Sequence, residues 1–203
     1  MEYNQPSEIV KDLSFGAEAQ DKIAAGVHKL AEAVKSTLGA SGKCVIYEDA
    51  MGRPVITKDG VTVAESVVLY DPVENIGATL IKEAAKNTVK EAGDGTTTAT
   101  VLADSLLRHA YEKLEHNSIR EIKTGIESGG KKVEKYLDKI KKEVKGDMLR
   151  HVATISTNND AKLGEIISSA YEAVGKHGVV LMEESSDEST YFDLVDGVQF
   201  DSG

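Results

Sequence analysis

The chain contains no tryptophan, three phenylalanines and a single cysteine. With aromatics this scarce, and 40% of residues hydrophobic, any core has to be built from aliphatic side chains. The lone Cys44 excludes an internal disulfide and any cysteine-based metal centre. That usage matches a reducing cytosol, and a cytoplasmic location is expected. Cys44 itself reads as a buried small hydrophobe rather than a nucleophile. Positive charge is also in deficit: 24 Lys and Arg stand against 34 Asp and Glu, a net charge of −10. A nucleic-acid surface should be basic, so none is expected. No apolar run approaches the roughly eighteen residues a membrane helix needs, so no membrane partner is expected either. Met1 to Pro6 lacks the basic and apolar regions of a signal peptide. The five histidines, at 28, 109, 116, 151 and 177, show no ligand spacing and read as surface or capping residues.

What is present is mostly helical periodicity. Ile23, Val27, Leu30, Val34 and Leu38 recur at spacings of three and four, which predicts an amphipathic helix over 17–38 ending at Gly39. Asp71-Pro72 opens a second helix with Ile76, Leu80, Ile81, Ala84, Ala85 and Val89 inward. A third runs from Thr96 to Glu115 with Val101, Leu102, Ser105, Leu106 and Ala110 on one side. Ser118 and Glu121 have capping-box spacing and start a fourth, with Ile119, Ile122, Ile126, Val133, Leu137, Ile140 and Val144 inward and a solvated Lys/Glu face. Gly129-Gly130 inside it suggests close helix packing, since glycine there costs about 1 kcal/mol against alanine. A last helix is capped by Asn159 or Asp160, with Leu163, Ile166, Ile167, Ala170 and Val174 inward.

The β content is small. Residues 43–48 and 54–58 flank a turn-like Asp49 to Arg53 and predict a hairpin. Asp12 to Gly16, Val179 to Glu183 and Tyr191 to Val195 read as short strands. Val61 to Ala64 reads as a short apolar stretch, and Met148 to Thr157 as a connector. The fold class is mainly α with a small α+β part, and a domain boundary is expected near 141–147.

The chemistry concentrates in Gly93-Asp-Gly-Thr-Thr-Thr98 at the start of the third helix. Gly93 and Gly95 allow positive φ, successive N–H groups can cradle an anion, and the helix start adds unpaired donors and a positive dipole end. Together these make a phosphate site. A carboxylate would repel phosphate unless it holds a hard cation, so Asp94 is assigned to Mg²⁺; a lone Asp in such a turn would otherwise be an N-cap. The turn at Thr37-Leu-Gly-Ala-Ser-Gly42 lacks P-loop spacing and follows a helix rather than a strand. Thr57-Lys-Asp-Gly60 taken alone is a surface charge pair.

Gly93 to Ala103 resembles the signature of the group I chaperonins, the GroEL type. Phe15-Gly16, Val34 to Gly39, Ile56 to Val61, Thr154-Ile-Ser156 and Gly197 to Asp201 recur in the same order as in that family. The resemblance implies a chaperonin-like helical equatorial domain with a projecting β-hairpin over 1–140, a small intermediate-type domain over 141–195, and the start of an apical domain over 196–203. It implies an ATP-dependent chaperone, a ring subunit that binds and hydrolyses ATP to fold non-native proteins. ATP, Mg²⁺ and K⁺ are the implied cofactors. Thr37, Leu38, Gly39, Ala40, Lys58, Asp94, Gly95, Thr96, Thr97 and Thr98 would bind nucleotide and cations, with Asp94 on the metal. Asp59 would orient the attacking water. Ala40 and Ser41 stand where the family usually has proline and lysine, and Ser202 where it often has arginine. Implied partners are like subunits in a ring, together with clients and a co-chaperonin that bind through an apical domain this sequence lacks. The family's chain is longer, and its C-terminal half completes the ATP hydrolase. The alternative is a truncated fragment acting as a non-catalytic assembly or nucleotide-binding module; a gene continuing past Gly203 would favour the full chaperonin, and a stop there the fragment. An unrelated phosphotransferase using the same loop is weaker, because no cluster for an acceptor substrate is visible.

Overall fold

The computed structural model describes residues 12–39, 41–195 and 197. In chain order the elements are α1 (Gly16–Lys35), β1 (Val45–Glu48), β2 (Pro54–Thr57), α2 (Gly60–Ser66), α3 (Pro72–Ala92), α4 (Thr96–Lys113), α5 (Ile119–Ile140), α6 (Asp147–Ser156) and α7 (Ala161–Val174). The mainly helical class with one small sheet is as expected. Two compact units, Met1–Lys132 and Val133–Gly203, divide inside α5, ahead of the 141–147 stretch.

In the first unit α1 is the central element, in contact with α2, α3 and α4. Its apolar stripe behaves as its spacing predicts: Val27, Leu30 and Val34 are buried with Val63 and Ala64 of α2 and Ala78 and Ile81 of α3. Full burial of a side chain such as Leu30 contributes about 1.5–3 kcal/mol. The α1–α3 crossing is set by two glycines. A Cβ on Gly26 would overlap the Glu74 carbonyl, and one on Gly77 would overlap the Ile23 carbonyl. The backbones therefore meet where neither helix has a side chain. This moves the inner face of α3 off the predicted row. Gly77, Ala78, Ile81 and Ala85 are buried, whereas Ile76 and Leu80 are exposed. Asp71 caps α3, accepting from the N–H groups of Val73 (2.8 Å) and Glu74 (3.2 Å), with Pro72 at the first turn. The Glu74 N–H, followed by the Lys22 ammonium, holds its carboxyl below the ordinary value.

The inner face of α4 also differs from the prediction. It buries Thr96, Thr100 and Asp104, with Ala103 and Leu107 against the core, and leaves Leu102 and Leu106 exposed. The hairpin pairs antiparallel, with Val45 opposite Thr57 and Ile46 opposite Ile56. Asp49 closes its loop by accepting from the N–H groups of Met51 and Arg53, at 2.8 and 2.9 Å. Val45 reaches the core, but Cys44, just before the strand, is exposed rather than buried.

The capping box that opens α5 is formed. The Ser118 N–H and hydroxyl donate to the Glu121 carboxylate at 2.9 and 2.8 Å, and the Glu121 N–H returns to the Ser118 hydroxyl at 3.3 Å. Yet no residue of α5 is buried. Nothing lies within 4 Å of a Cβ built on Gly129 or Gly130, so the expected close packing there is not found. In the second unit, Met148 to Thr157 is not a connector but most of helix α6. It packs on α7 where Gly164 meets Thr154, a contact that a Cβ on Gly164 would block. Asp160 caps α7 through the N–H groups of Lys162 and Leu163, at 2.9 and 3.0 Å. The strands read at 12–16, 179–183 and 191–195 are not formed. Alternation alone cannot hold a strand, which needs a second backbone for its N–H and C=O groups.

Candidate functional site

Three stretches distant in the sequence meet at Gly60, the first residue of α2. A Cβ built there would overlap the hydroxyl of Thr97, at the start of α4, and lie 3.3 Å from the hydroxyl oxygen of Thr37, just past the end of α1. Only a hydrogen at position 60 lets the three backbones approach this closely. The Thr37 loop, the Thr57–Gly60 turn and the Gly93–Thr98 loop are the three pieces singled out in the sequence, and the fold assembles them at one place.

Each piece is shaped locally. Past α1 the chain tightens, with the Thr37 N–H donating to Val34 O at 3.0 Å and the Leu38 N–H to Lys35 O at 3.1 Å. The Thr37 hydroxyl donates to Val34 O at 2.8 Å. Helix α1 therefore stops three residues before the predicted Leu38, and Gly39 turns the chain at φ +76°. Leu38 and Lys58 are exposed, and Ala40 lies outside the described residues.

Asp59 is not held in a charge pair with Lys58. It is the N-cap of α2, the stretch read as a short apolar segment, and accepts from the N–H groups of Val61 (3.2 Å) and Thr62 (2.8 Å) and from the Thr62 hydroxyl (2.5 Å). Partial burial pushes its pKa up. The hydroxyl and two N–H donors outweigh that and leave it below the ordinary value of 3.8. Asp59 is thus a carboxylate at neutral pH, in a fixed orientation, with acceptor capacity for a further donor such as water.

Asp94 is not the cap of α4. That position belongs to Gly95, at φ +95°, and no side chain caps the helix. Gly93 also has positive φ, +77°, where it ends α3. The Asp94 carboxylate is exposed and accepts the Gly95 N–H at 2.5 Å. The first turn of α4 keeps its N–H donors without a side-chain acceptor, beside a carboxylate that can face a cation.

Thr96 is the one buried side chain among the described residues whose polar atom has no hydrogen-bond partner. An unpaired buried hydroxyl costs about 1–3 kcal/mol, and a ligand oxygen would satisfy it. Thr96 also lines a cavity of about 250 Å³ between α2 and α3. Val61, Ala64, Ala85 and Val89 line it together with Glu65 and with Lys82, Lys86 and Lys90, at i, i+4 and i+8 on α3. The Lys82 ammonium donates to the carbonyl of Val67; burial, then the neighbouring Lys86 charge, lowers its pKa. Thr96 was implied as a nucleotide-binding residue by the family resemblance, but the contact at Gly60 was not foreseen. No local pattern marks a glycine as a contact point between remote loops, and the lysines at 82, 86 and 90, though at plain i, i+4 spacing, were not singled out in the sequence either. These features fit an anion accompanied by a hard cation: uncapped helix donors, an orphan hydroxyl, and two carboxylates at adjoining turns.

Comparison with known proteins identifies the family. The TCP-1/cpn60 chaperonin family matches residues 30–203. A protein named Chaperonin GroEL 1, from Rhodopirellula baltica, is 42% identical over 200 residues, 96% of this chain and 35% of that protein. The chain therefore spans about a third of the length of this curated relative. Two crystal forms of the chaperonin gp146 from bacteriophage EL 2 (Pseudomonas aeruginosa), both with ATP-BeFx present, superpose with a TM-score of 0.67 at 32% identity. In each the match covers 78% of this chain and 28% of that one. With a family match over most of its length and chaperonins of known structure sharing its fold, the chain belongs to the TCP-1/cpn60 chaperonin family.

Proposed function

We propose that this chain carries the phosphate side of a chaperonin ATP site, in a protein that binds and hydrolyses ATP to drive the folding of non-native proteins. The observation that carries this reading is the meeting of Thr37, Gly60 and Thr97 at one point, with Asp59 and Asp94 in the turns beside it. On this reading, residues 1–140 are the equatorial-type nucleotide-binding part, 141–195 the intermediate-type part and 196–203 the start of an apical part. The protein works in the cytoplasm as a ring of like subunits, with clients and a co-chaperonin as partners.

The residues divide the work. The N–H groups of Thr96, Thr97 and Thr98 and their hydroxyls bind phosphate oxygens, and Gly95 leaves the backbone bare for close approach. Thr37, Leu38, Gly39 and Ala40 add backbone and hydroxyl contacts to the nucleotide. Asp94 would hold Mg²⁺, which when bound neutralises phosphate charge. Lys58 and Thr37 would serve the nucleotide and a K⁺ site. Asp59, fixed by its cap bonds and ionised, accepts a hydrogen bond from the attacking water and orients it. Phosphoryl transfer to water requires mainly such positioning and charge neutralisation.

The test compares two substitutions by isothermal titration with Mg·ATP and by phosphate release. Asp94→Ala should lose nearly all Mg²⁺-dependent affinity. Asp59→Asn keeps a good cap residue, so it should bind within a few fold while hydrolysis slows by orders of magnitude. Unchanged affinity in the first would remove Asp94 from the metal. Equal losses of binding and turnover in the second would place Asp59 in the binding shell.

A further inference from the structure

Outside the candidate nucleotide site, one group of side chains among the described residues has the make-up of a metal centre. His28 and Glu32 stand at i, i+4 on α1, and Asp104 faces them from α4. One ligand atom from each lies within 4.8 Å of the other two. His28 Nδ1 is 3.2 Å from Asp104 Oδ1, across 76 residues of sequence. That separation is close to the edge of a coordination tetrahedron with metal–ligand bonds of about 2.0–2.1 Å. The Asp104 side chain is 5% exposed and that of His28 47%, so one ligand is fixed inside the helix packing while another opens to solvent. The histidines were expected to lack ligand spacing; the His28/Glu32 pair has it, and only the fold brings the third donor to it.

We propose that His28, Glu32 and Asp104 bind one first-row divalent cation of the zinc class. An imidazole nitrogen with two carboxylates suits Zn²⁺ or Co²⁺ better than Mg²⁺ or Ca²⁺, which take oxygen donors. The site is therefore chemically distinct from Asp94. Three protein ligands leave a fourth position for water. The bound ion joins α1 to α4, the helices that deliver Thr37 and Thr97 to their contact with Gly60. Two cations compete with it. Arg108 Nε lies 3.1 Å from Asp104 Oδ2, and Lys35 Nζ 2.8 Å from Glu32 Oε1. Binding has to displace or share these pairs, so removing one should strengthen it.

The test titrates the chain with Zn²⁺ by calorimetry and follows Co²⁺ by its visible absorption, each in a background of excess Mg²⁺. One ion per chain is expected, with a raised melting temperature. Both His28 and Glu32 are exposed, so folding should survive their replacement. His28→Gln and Glu32→Gln should each weaken binding at least about tenfold, in the range seen when metal-site residues are altered. Arg108→Gln, which frees Asp104 Oδ2, should tighten it several fold, an effect that a purely structural ion-pair network would not produce. His109→Gln and His116→Gln should change nothing. Absence of saturable binding at micromolar zinc, displacement by Mg²⁺, or retention of full affinity in His28→Gln would overturn the proposal.

Discussion

Helices α4 and α5 invert each other. Helix α4 hides two threonines and an aspartate and leaves Leu102 and Leu106 in solvent. Helix α5 has the more regular apolar stripe, yet Ile126, Val133, Leu137 and Ile140 are all exposed and nothing in it is buried. An amphipathic pattern states that a face is suited to burial; it does not supply the surface that buries it. In α4 the face turned to the core is chosen by what α1 and α2 can accept. There Thr97 fits beside Gly60, and the buried Asp104 meets His28 of α1, with Arg108 one turn on in α4 itself. Buried polar groups of this kind are retained where they are paired or where a ligand completes them.

The contrast can be broken most strongly at the glycines. Gly26→Ala puts a methyl group into the Glu74 carbonyl and should force α1 and α3 apart. The expected loss is about 3 kcal/mol in urea unfolding, at the upper end for overpacking. A loss below about 0.5 kcal/mol would mean the crossing is not as close as described. Next in size is Thr96→Val, which removes the unpaired hydroxyl while keeping the shape. Without nucleotide it should be neutral or stabilise by up to about 1 kcal/mol, and with nucleotide it should lose affinity. A plain destabilisation with unchanged nucleotide affinity would show that the hydroxyl is satisfied within the fold. On the α5 side, Gly130→Ala meets open space and should stabilise by about 0.5–1 kcal/mol through helix propensity alone. The smallest effect is expected for Leu137→Gln, within about 0.5 kcal/mol, because the side chain touches no core. A cost of 2 kcal/mol or more, as for large-to-small core changes, would show that α5 is covered in solution.

Much of the fold was legible. Helices α1, α3, α4, α5 and α7 and the hairpin lie within a few residues of their expected bounds. Local signals placed them: a proline behind Asp71, an N-cap at Asp160, the Ser118–Glu121 box, and turn residues between two β-prone runs. The misreadings have one kind of cause. Val61 to Ala64 and Met148 to Thr157 are short, so period alone could not tell helix from connector. The stretches at 179–183 and 191–195 have strand-like side chains, but among the described residues no backbone pairs with them. The inner faces of α3 and α4 were assigned to the largest aliphatic residues, whereas close helix crossings are built from the smallest.

By itself the sequence determined the approximate extents of α1, α3, α4, α5 and α7, and which loop holds a carboxylate between two glycines before a run of threonines. Caps, glycine turns and side-chain periods act within a few residues and need no distant partner. Tertiary structure alone decided that the Thr37, Gly60 and Thr97 stretches meet at one point. It also decided that Thr96 is buried without a partner, that Asp104 meets His28, and that position 60 has room only for hydrogen. Each of these depends on the distance between segments tens of residues apart. That distance is set by how closely two helix backbones can pack, through contacts summed over the whole interface.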